Sequence, residues 1–324
     1  MKAIAAPTSA GMSAPKGQLR SIQVLRGIAA LAVVLTHLGY GPGAAGVDIF
    51  FVISGFIMGS ITKKGVTPYK FATDRLWRVF PPYLIALLPW IGTDPTRLAA
   101  SFTLWPIWGA HYVMPFLLVG WTLSFELLFY TAVTVSLYTR RPWLVIGAYV
   151  CCLLGYIAHR SALMSYIGSP MCLEFLFGLA IVRLPQSRPV ALVALLCGAA
   201  LLLGLPASNF DVTPEKFVHV LPWRALFWGV PAAMVVYGAL CFEARIGRQW
   251  SALVLLGDAS YSLYLTHLGI VLGGNAHWPL WAAVAIAVAF AFWLGVERPL
   301  LRARHKIRLP LPWAMKAEAV GARE

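Results

Sequence analysis

Long apolar stretches alternate with short polar connections along almost the whole chain. Ten of them, at roughly 22–40, 45–62, 79–92, 119–138, 143–159, 170–183, 190–206, 224–242, 252–273 and 278–297, are continuously apolar. Runs of about 17–25 such residues suit helices that cross a hydrocarbon layer of about 30 Å, whereas barrel strands alternate with a period of two. The pattern predicts an all-α, polytopic transmembrane helical bundle of about ten spans. The third span is short and carries Pro81, Pro82 and Pro89, and the stretch 98–118, with two prolines, reads as a part-helical outer connection.

The flanks differ from this body. Residues 1–20 are polar and read as a disordered cytoplasmic tail, 21–298 as one transmembrane domain, and 299–324 as a basic cytoplasmic tail. No small-residue cleavage site follows the first apolar stretch, so Ile22 onward is expected to be a retained span.

Composition sharpens the picture. Of 324 residues, 60% are hydrophobic and 12% charged. A soluble domain averages about 25% charged. The net charge of +14 would suit a nucleic-acid partner, but its distribution excludes one. On alternate sides of the predicted spans fall 21 and 4 Lys and Arg, with Arg26 inside the first span. Basic residues collect on the cytoplasmic side, so both termini are expected there. The five cysteines, Cys151, Cys152, Cys172, Cys197 and Cys241, lie in apolar segments and are expected to be buried small hydrophobes. No metal site is expected. No internal repeat is visible, which weighs against a transporter with matching halves.

Ionisable groups inside spans cost about 2.5–3.5 kcal/mol each and are functional candidates. Here they are Arg26, His37, Asp48, Glu126, Glu174, Asp258 and His267, with Glu297 closing the last span. The predicted topology puts His37, Asp48, Glu126, Glu174 and His267 at one depth, toward the outer side. On the inner side, Arg75 and Arg78 sit where the basic loop enters the third span, near Lys63, Lys64, Lys70 and Arg26. Arginine forks suit phosphate oxygens.

Arg26 and His37 are 11 residues apart, which is about 16.5 Å of helix and only about 20° past three full turns. Both therefore project from one face. A long anionic cofactor, held by its phosphates near Arg26 and Arg75/Arg78, would present its reactive end near His37. Plainer readings stand beside this one. The arginines suit interfacial charges, the histidines hydrogen-bonded packing residues, Asp48 and Asp258 helix caps, Glu174 a partner within the bundle, and Trp121 an interfacial belt.

Several blocks in order resemble the membrane acyltransferase 3 family. They are Leu25-Arg26-Gly27-Ile28-Ala29-Ala30 with His37, the Gly46-Val47-Asp48-Ile49-Phe50-Phe51-Val52-Ile53-Ser54-Gly55-Phe56 run, and Phe71 followed by Arg75-x-x-Arg78 with Pro82-Tyr83. Trp121-Thr122-Leu123-Ser124-Phe125-Glu126 with Phe129-Tyr130 follows, then Glu174-Phe175 with Gly178, then the run from Gly257-Asp258 to Thr266-His267, and last Glu297-Arg298-Pro299. The resemblance covers about residues 20 to 300 and looks nearest to exopolysaccharide acetyltransferases of the succinoglycan kind.

The resemblance implies an O-acyltransferase of the bacterial inner membrane that uses acyl-CoA, usually acetyl-CoA, from the cytoplasm and a saccharide or lipid-linked saccharide as acceptor. It makes His37 the catalytic histidine, places Arg26 in the same motif and makes Arg75 and Arg78 acyl-CoA contacts. The reading taken is that His37, oriented by Asp48 or Glu126, is the general base, with His267 as the second candidate. An acyl-histidine relay is the mechanistic alternative, and Tyr130, Ser124 or a backbone amide would stabilise the oxyanion. Membrane lipids and polysaccharide assembly proteins are the other expected partners. The rival classes are a transporter or flippase for an anionic or sugar-lipid substrate, and a structural subunit of an export machine.

Overall fold

The structure, a computed structural model, describes residues 19–39, 43–204, 223–272 and 277–304. Residues 1–18 and 305–324 of the predicted tails and the connection around 206–222 lie outside the described residues, while 299–304 continue as helix. Among the described residues, three helical stretches are long and apolar enough to cross a membrane: Gly43–Thr62, Ala162–Ile181 and Trp278–Ala303. Shorter apolar helices, Pro142–Ala158, Arg188–Gly204 and Ala225–Cys241, accompany them.

The first helix, α1 (Arg20–His37), holds both ends of the Arg26/His37 spacing in one uninterrupted element. Its N-terminal N–H groups are met from across the bundle. The Glu243 carboxylate accepts from Arg20 N at 2.8 Å and Ser21 N at 2.7 Å. An anion there also opposes the helix dipole. Against α1 pack α2 (Gly46–Thr62) and two helices from the end of the chain, α11 (Ser251–Asp258) and α12 (Ser260–Val271).

Helix α3 (Pro68–Leu87) corrects the expected third span, which was placed from 79. The Thr67 hydroxyl caps Lys70 N and Pro68 opens the first turn, so the helix starts early enough to contain Arg75 and Arg78. Pro81 and Pro82 lie inside it and deprive two preceding carbonyls of their donors. Beside that gap the Tyr261 hydroxyl donates to Val79 O at 2.8 Å.

The connection that follows is part-helical, as expected. It comprises α4 (Pro95–Thr103) and a two-stranded hairpin, β1 (Ile107–Trp108) with β2 (His111–Tyr112), antiparallel with Ile107 opposite Tyr112. Helix α5 (Gly120–Thr139) then packs on α3, and α6 (Pro142–Ala158) on α5. The expected span 170–183 is the second half of a longer apolar stretch, with α7 (Ala162–Ile167) and α8 (Cys172–Ile181) separated at Gly168.

Helix α8 lies against α2 at very short range. A Cβ on Gly55 would stand 2.0 Å from Phe175 O, and one on Gly178 would stand 2.1 Å from Val52 O. Only glycine lets two backbones approach so closely, which is how helices bind where hydrophobicity offers no preference.

Helix α9 (Arg188–Gly204) pairs with α10 (Val230–Cys241), which continues from a π-turn at Ala225–Gly229. Helix α13 (Trp278–Phe292) packs on α12 and leads through a second π-turn, Trp293–Glu297, into α14 (Arg298–Ala303). Cys151 and Cys197 are exposed on the bundle surface rather than buried, because α6 and α9 turn much of their apolar surface outward.

Candidate functional site

Five helices meet around a cavity of about 100 Å³. Each contributes residues at helical spacing. From α2 come Val47, Phe50, Phe51, Ser54, Ile57 and Met58. Steps of three and four keep them on one face. From α3 come Arg75, Arg78 and Val79, and from α5 Thr122, Glu126 and Tyr130 at successive steps of four. Helix α12 adds Ser260, Tyr261 and Tyr264, and α1 adds Arg26. The three arginines expected to hold a cofactor thus share one space, although Arg26 is remote in sequence from the other two.

None of the three guanidiniums has a carboxylate partner among the described residues. Arg26, almost fully buried, donates to Gln23 Oε1 at 3.3 Å. Arg75 Nε is buried and meets no acceptor among the described residues. Glu126 is the carboxylate in this cavity, and its Oε1 already accepts from Ser54 Oγ at 3.2 Å and from the Tyr130 hydroxyl. The lining carries three cations and one carboxylate, and the charges of Glu297 and Asp258 also reach Arg26. Taking like charges out of water is costly unless an anion joins them.

Contacts on the other face of α3 set its rotation. Trp77 Nε1 donates to Leu300 O at 2.8 Å, and Asp74 accepts from Lys70 at 3.2 Å and pairs with Arg304. Residues 74 and 77 therefore grip the segment Leu300–Arg304 while 75 and 78 face the cavity.

The histidines lie beyond the cavity, past Tyr264. His37 closes α1 with an exposed ring whose centroid is 5.0 Å from that of buried His267, at 64°. Tyr264 stands between them and the cavity, 5.9 Å from His267, and its hydroxyl shares a 2.7 Å bond with Thr122. His37 Nδ1 faces Val33 O at 2.9 Å, and His267 Nδ1 faces Tyr264 O at 2.9 Å. A carbonyl only accepts, so Nδ1 carries the hydrogen in each neutral ring and Nε2 is the free base. His267 Nε2 is buried and meets no donor among the described residues.

The carboxylates part company. Asp48 was expected to orient His37, but Arg224 takes both its oxygens, with Nε at 3.1 Å from Oδ1 and one terminal nitrogen at 2.9 Å from Oδ2. The same guanidinium reaches Ala44 O and lies over the Trp228 ring at 4.8 Å. Glu174 is fully buried beside this pair, its oxygens meeting no donor among the described residues. Glu126, the other candidate partner, bonds Ser54 and Tyr130 instead. The expected level of two histidines and three carboxylates is thus three clusters: His37 with His267, Asp48 with Arg224 and Glu174, and Glu126 among the arginines. Asp258 ends α11 just before the break at Ala259, and Glu297 accepts from Ser262 at 2.5 Å.

Arg224, at the start of the predicted span 224–242, was not among the candidates, and the structure buries it. The available signal was a lone arginine opening an apolar run while Asp48 and Glu174 lacked a cation. Ser54, Ser260 and Tyr261 gave no such signal, because an uncharged hydroxyl among apolar residues looks like packing.

Helices of membrane-crossing length around an internal cationic cavity define a helical membrane protein with a buried polar site. Residues 19–297 match the family described as Acyltransferase domain, and the chain belongs to this membrane acyltransferase 3 family. The exopolysaccharide production protein ExoZ of Rhizobium meliloti (strain 1021) is 34% identical over 307 residues, covering 80% of this chain and 90% of its own. BcsY of Komagataeibacter xylinus, which bears the name of a membrane-bound transacylase, is 30% identical, covering 88% and 83%. Nodulation protein 10 of Rhizobium leguminosarum bv. viciae is 25% identical, covering 82% and 84%. No solved structure matches the chain.

Proposed function

We propose that the protein is an O-acyltransferase of the inner membrane that moves an acyl group, acetyl by preference, from acyl-CoA to a hydroxyl of a saccharide or lipid-linked saccharide. One observation carries the donor assignment: Arg26, Arg75 and Arg78 line one cavity, and no carboxylate pairs with any of them among the described residues. Acyl-CoA is a polyanion whose phosphates would supply the missing charge, and its long thiol arm suits a site with its cations at one level and its base at another. The relative named for exopolysaccharide production supports a saccharide acceptor.

In this reading His37 Nε2 takes the proton from the acceptor hydroxyl as its oxygen attacks the thioester carbonyl. The C–S bond breaks, and the departing thiolate recovers that proton from the imidazolium. The Val33 carbonyl fixes the ring. The base thus needs no carboxylate. Glu126 holds Tyr130 and Ser54 against the cavity wall at the level of the arginines.

Purified protein given labelled acetyl-CoA and deacetylated glycan is expected to label the glycan, which a transporter or an export subunit would not do. Arg75→Ala and Arg78→Ala are each expected to raise the donor KM by about ten- to a hundredfold, from charge-assisted bonds worth about 1.5–3 kcal/mol. Unchanged donor KM with lost kcat in both variants would remove the phosphate-binding role.

The ten-span arrangement with both ends in the cytoplasm belongs to the same proposal and rests on the 21-to-4 partition of Lys and Arg. A reporter fused after Glu324 is expected to score as cytoplasmic. A periplasmic score would invert the donor and acceptor sides.

A further inference from the structure

The connection between α3 and α5 stands at the same end of the bundle as His37. His37 at the end of α1 packs against His267 of α12. Trp90, just past α3, lies 3.5 Å from where a Cβ on Gly269 would be, two residues beyond His267.

This connection is firmly built. Asp94 caps α4 by accepting from Thr96 N at 2.8 Å and Arg97 N at 3.0 Å. Arg97 donates to Met114 O and Pro115 O at 3.3 Å and lies over the Phe116 ring. Ser101 Oγ accepts from Phe116 N at 2.8 Å, and Val113 N donates to Pro106 O at 2.7 Å. The hairpin turns at Gly109, whose φ of +62° suits glycine.

On this base two indoles are held in place. Trp105 is 43% exposed, and Tyr166 braces it edge-on at 5.5 Å and 87°. The Tyr166 hydroxyl in turn donates to Ser124 O on α5 at 2.8 Å. Trp108 is half-buried, and its Nε1 donates to Trp105 O at 2.8 Å. An open two-stranded hairpin has backbone groups that only water or protein can satisfy, so it cannot rest within hydrocarbon. Fixed aromatic faces are therefore presented to water at the end of the molecule where His37 is exposed.

We propose that Trp105 and Trp108 form a stacking platform that receives the saccharide acceptor and aligns its hydroxyl toward His37. A sugar ring has a face of C–H groups with slight positive charge, which complements the negative face of an indole. Hydroxyls at the ring edge stay free for exposed His111 and for water. Rings already held by Tyr166 and by a backbone bond lose little freedom on binding. The choice of occupant rests on the acyltransferase reading above and on the relative named for exopolysaccharide production.

The test is calorimetric titration of the detergent-purified full chain with short fragments of the host strain's deacetylated exopolysaccharide. Wild type is expected to bind, and Trp105→Ala and Trp108→Ala each to raise the Kd about tenfold or more. Trp108→Ala leaves the Trp105–Tyr166 contact standing, so it decides the matter if Trp105→Ala misfolds. Absence of fragment binding by wild type, or affinities within twofold in both variants, overturns the platform. So does loss of vesicle association in the variants at unchanged fragment affinity, since that would make the indoles interfacial anchors. Binding is read without turnover. Fragments that bind tryptophan-dependently but receive no acetyl group would sink the donor reading and leave the platform standing.

Discussion

His37→Ala is expected to lower acyl transfer by about 10²–10⁴, the usual worth of a positioned general base, while the protein still inserts and still binds donor. The reason lies in the position of the ring. It ends α1 on the face that carries Arg26, its Nδ1 is engaged by Val33 O, and its Nε2 is free at an exposed surface. His267 is the neighbour that can compete for the role, but its ring is fully buried and its Nε2 is closed off from water. His267→Ala should therefore reduce transfer less than His37→Ala, by loosening the ring that packs 5.0 Å away. Rates measured with saturating donor separate the two. If His267→Ala is dead while His37→Ala turns over normally, the base belongs on α12. If both variants remain active, general-base help from histidine is ruled out and Glu126, inside the cavity, becomes the group to examine.

Arg224→Ala should cost about 3–5 kcal/mol of stability, the penalty for leaving a buried charge uncompensated. Its guanidinium forks onto Asp48, reaches Ala44 O and stands beside Glu174, so its removal strands two carboxyl groups in a dry interior. Thermal inactivation in detergent reads the loss. The double variant Arg224→Met with Asp48→Leu separates pairing from catalysis. Replacing both members by apolar groups should recover much of the stability, since buried pairs seldom outperform well-packed hydrophobes. If the double variant also recovers acyl transfer, Asp48 acts as a structural partner. Recovered stability without transfer would restore Asp48 to the site.

The sequence was informative where the governing interaction is local. Apolar runs mark helices because a chain in hydrocarbon must satisfy its own backbone. Their positions are close to those found, with α1, α2, α5 and α6 beginning and ending within a few residues of expectation. The 11-residue separation of Arg26 and His37 lies wholly within α1, so its meaning needed no tertiary information. The start of α3 was missed because Thr67 and Pro68, a cap and a first-turn proline, sit in a stretch too basic to register as apolar. There the capping signal outweighed hydropathy.

By itself, then, the sequence determined that this is a helical membrane chain of the acyltransferase kind, and most of the ionisable residues it commits to an apolar interior, buried Arg224 and exposed His37 being the exceptions. Hydropathy, helical spacing and charge asymmetry are properties of neighbours along the chain, and they survive without knowledge of the packing. Only the tertiary structure decided which of those residues meet. Asp48 found Arg224 across 176 residues, Ser54 found Glu126 across 72, and His37 found His267 at 5.0 Å. Depth alone had placed the two histidines with Asp48, Glu126 and Glu174. A bundle of helices has several faces at each level, and which face turns inward depends on close approaches such as Gly55 against Phe175 O. Such contacts bind helices remote in sequence, so the division into a cationic cavity, a histidine pair and a buried ion pair is a consequence of packing.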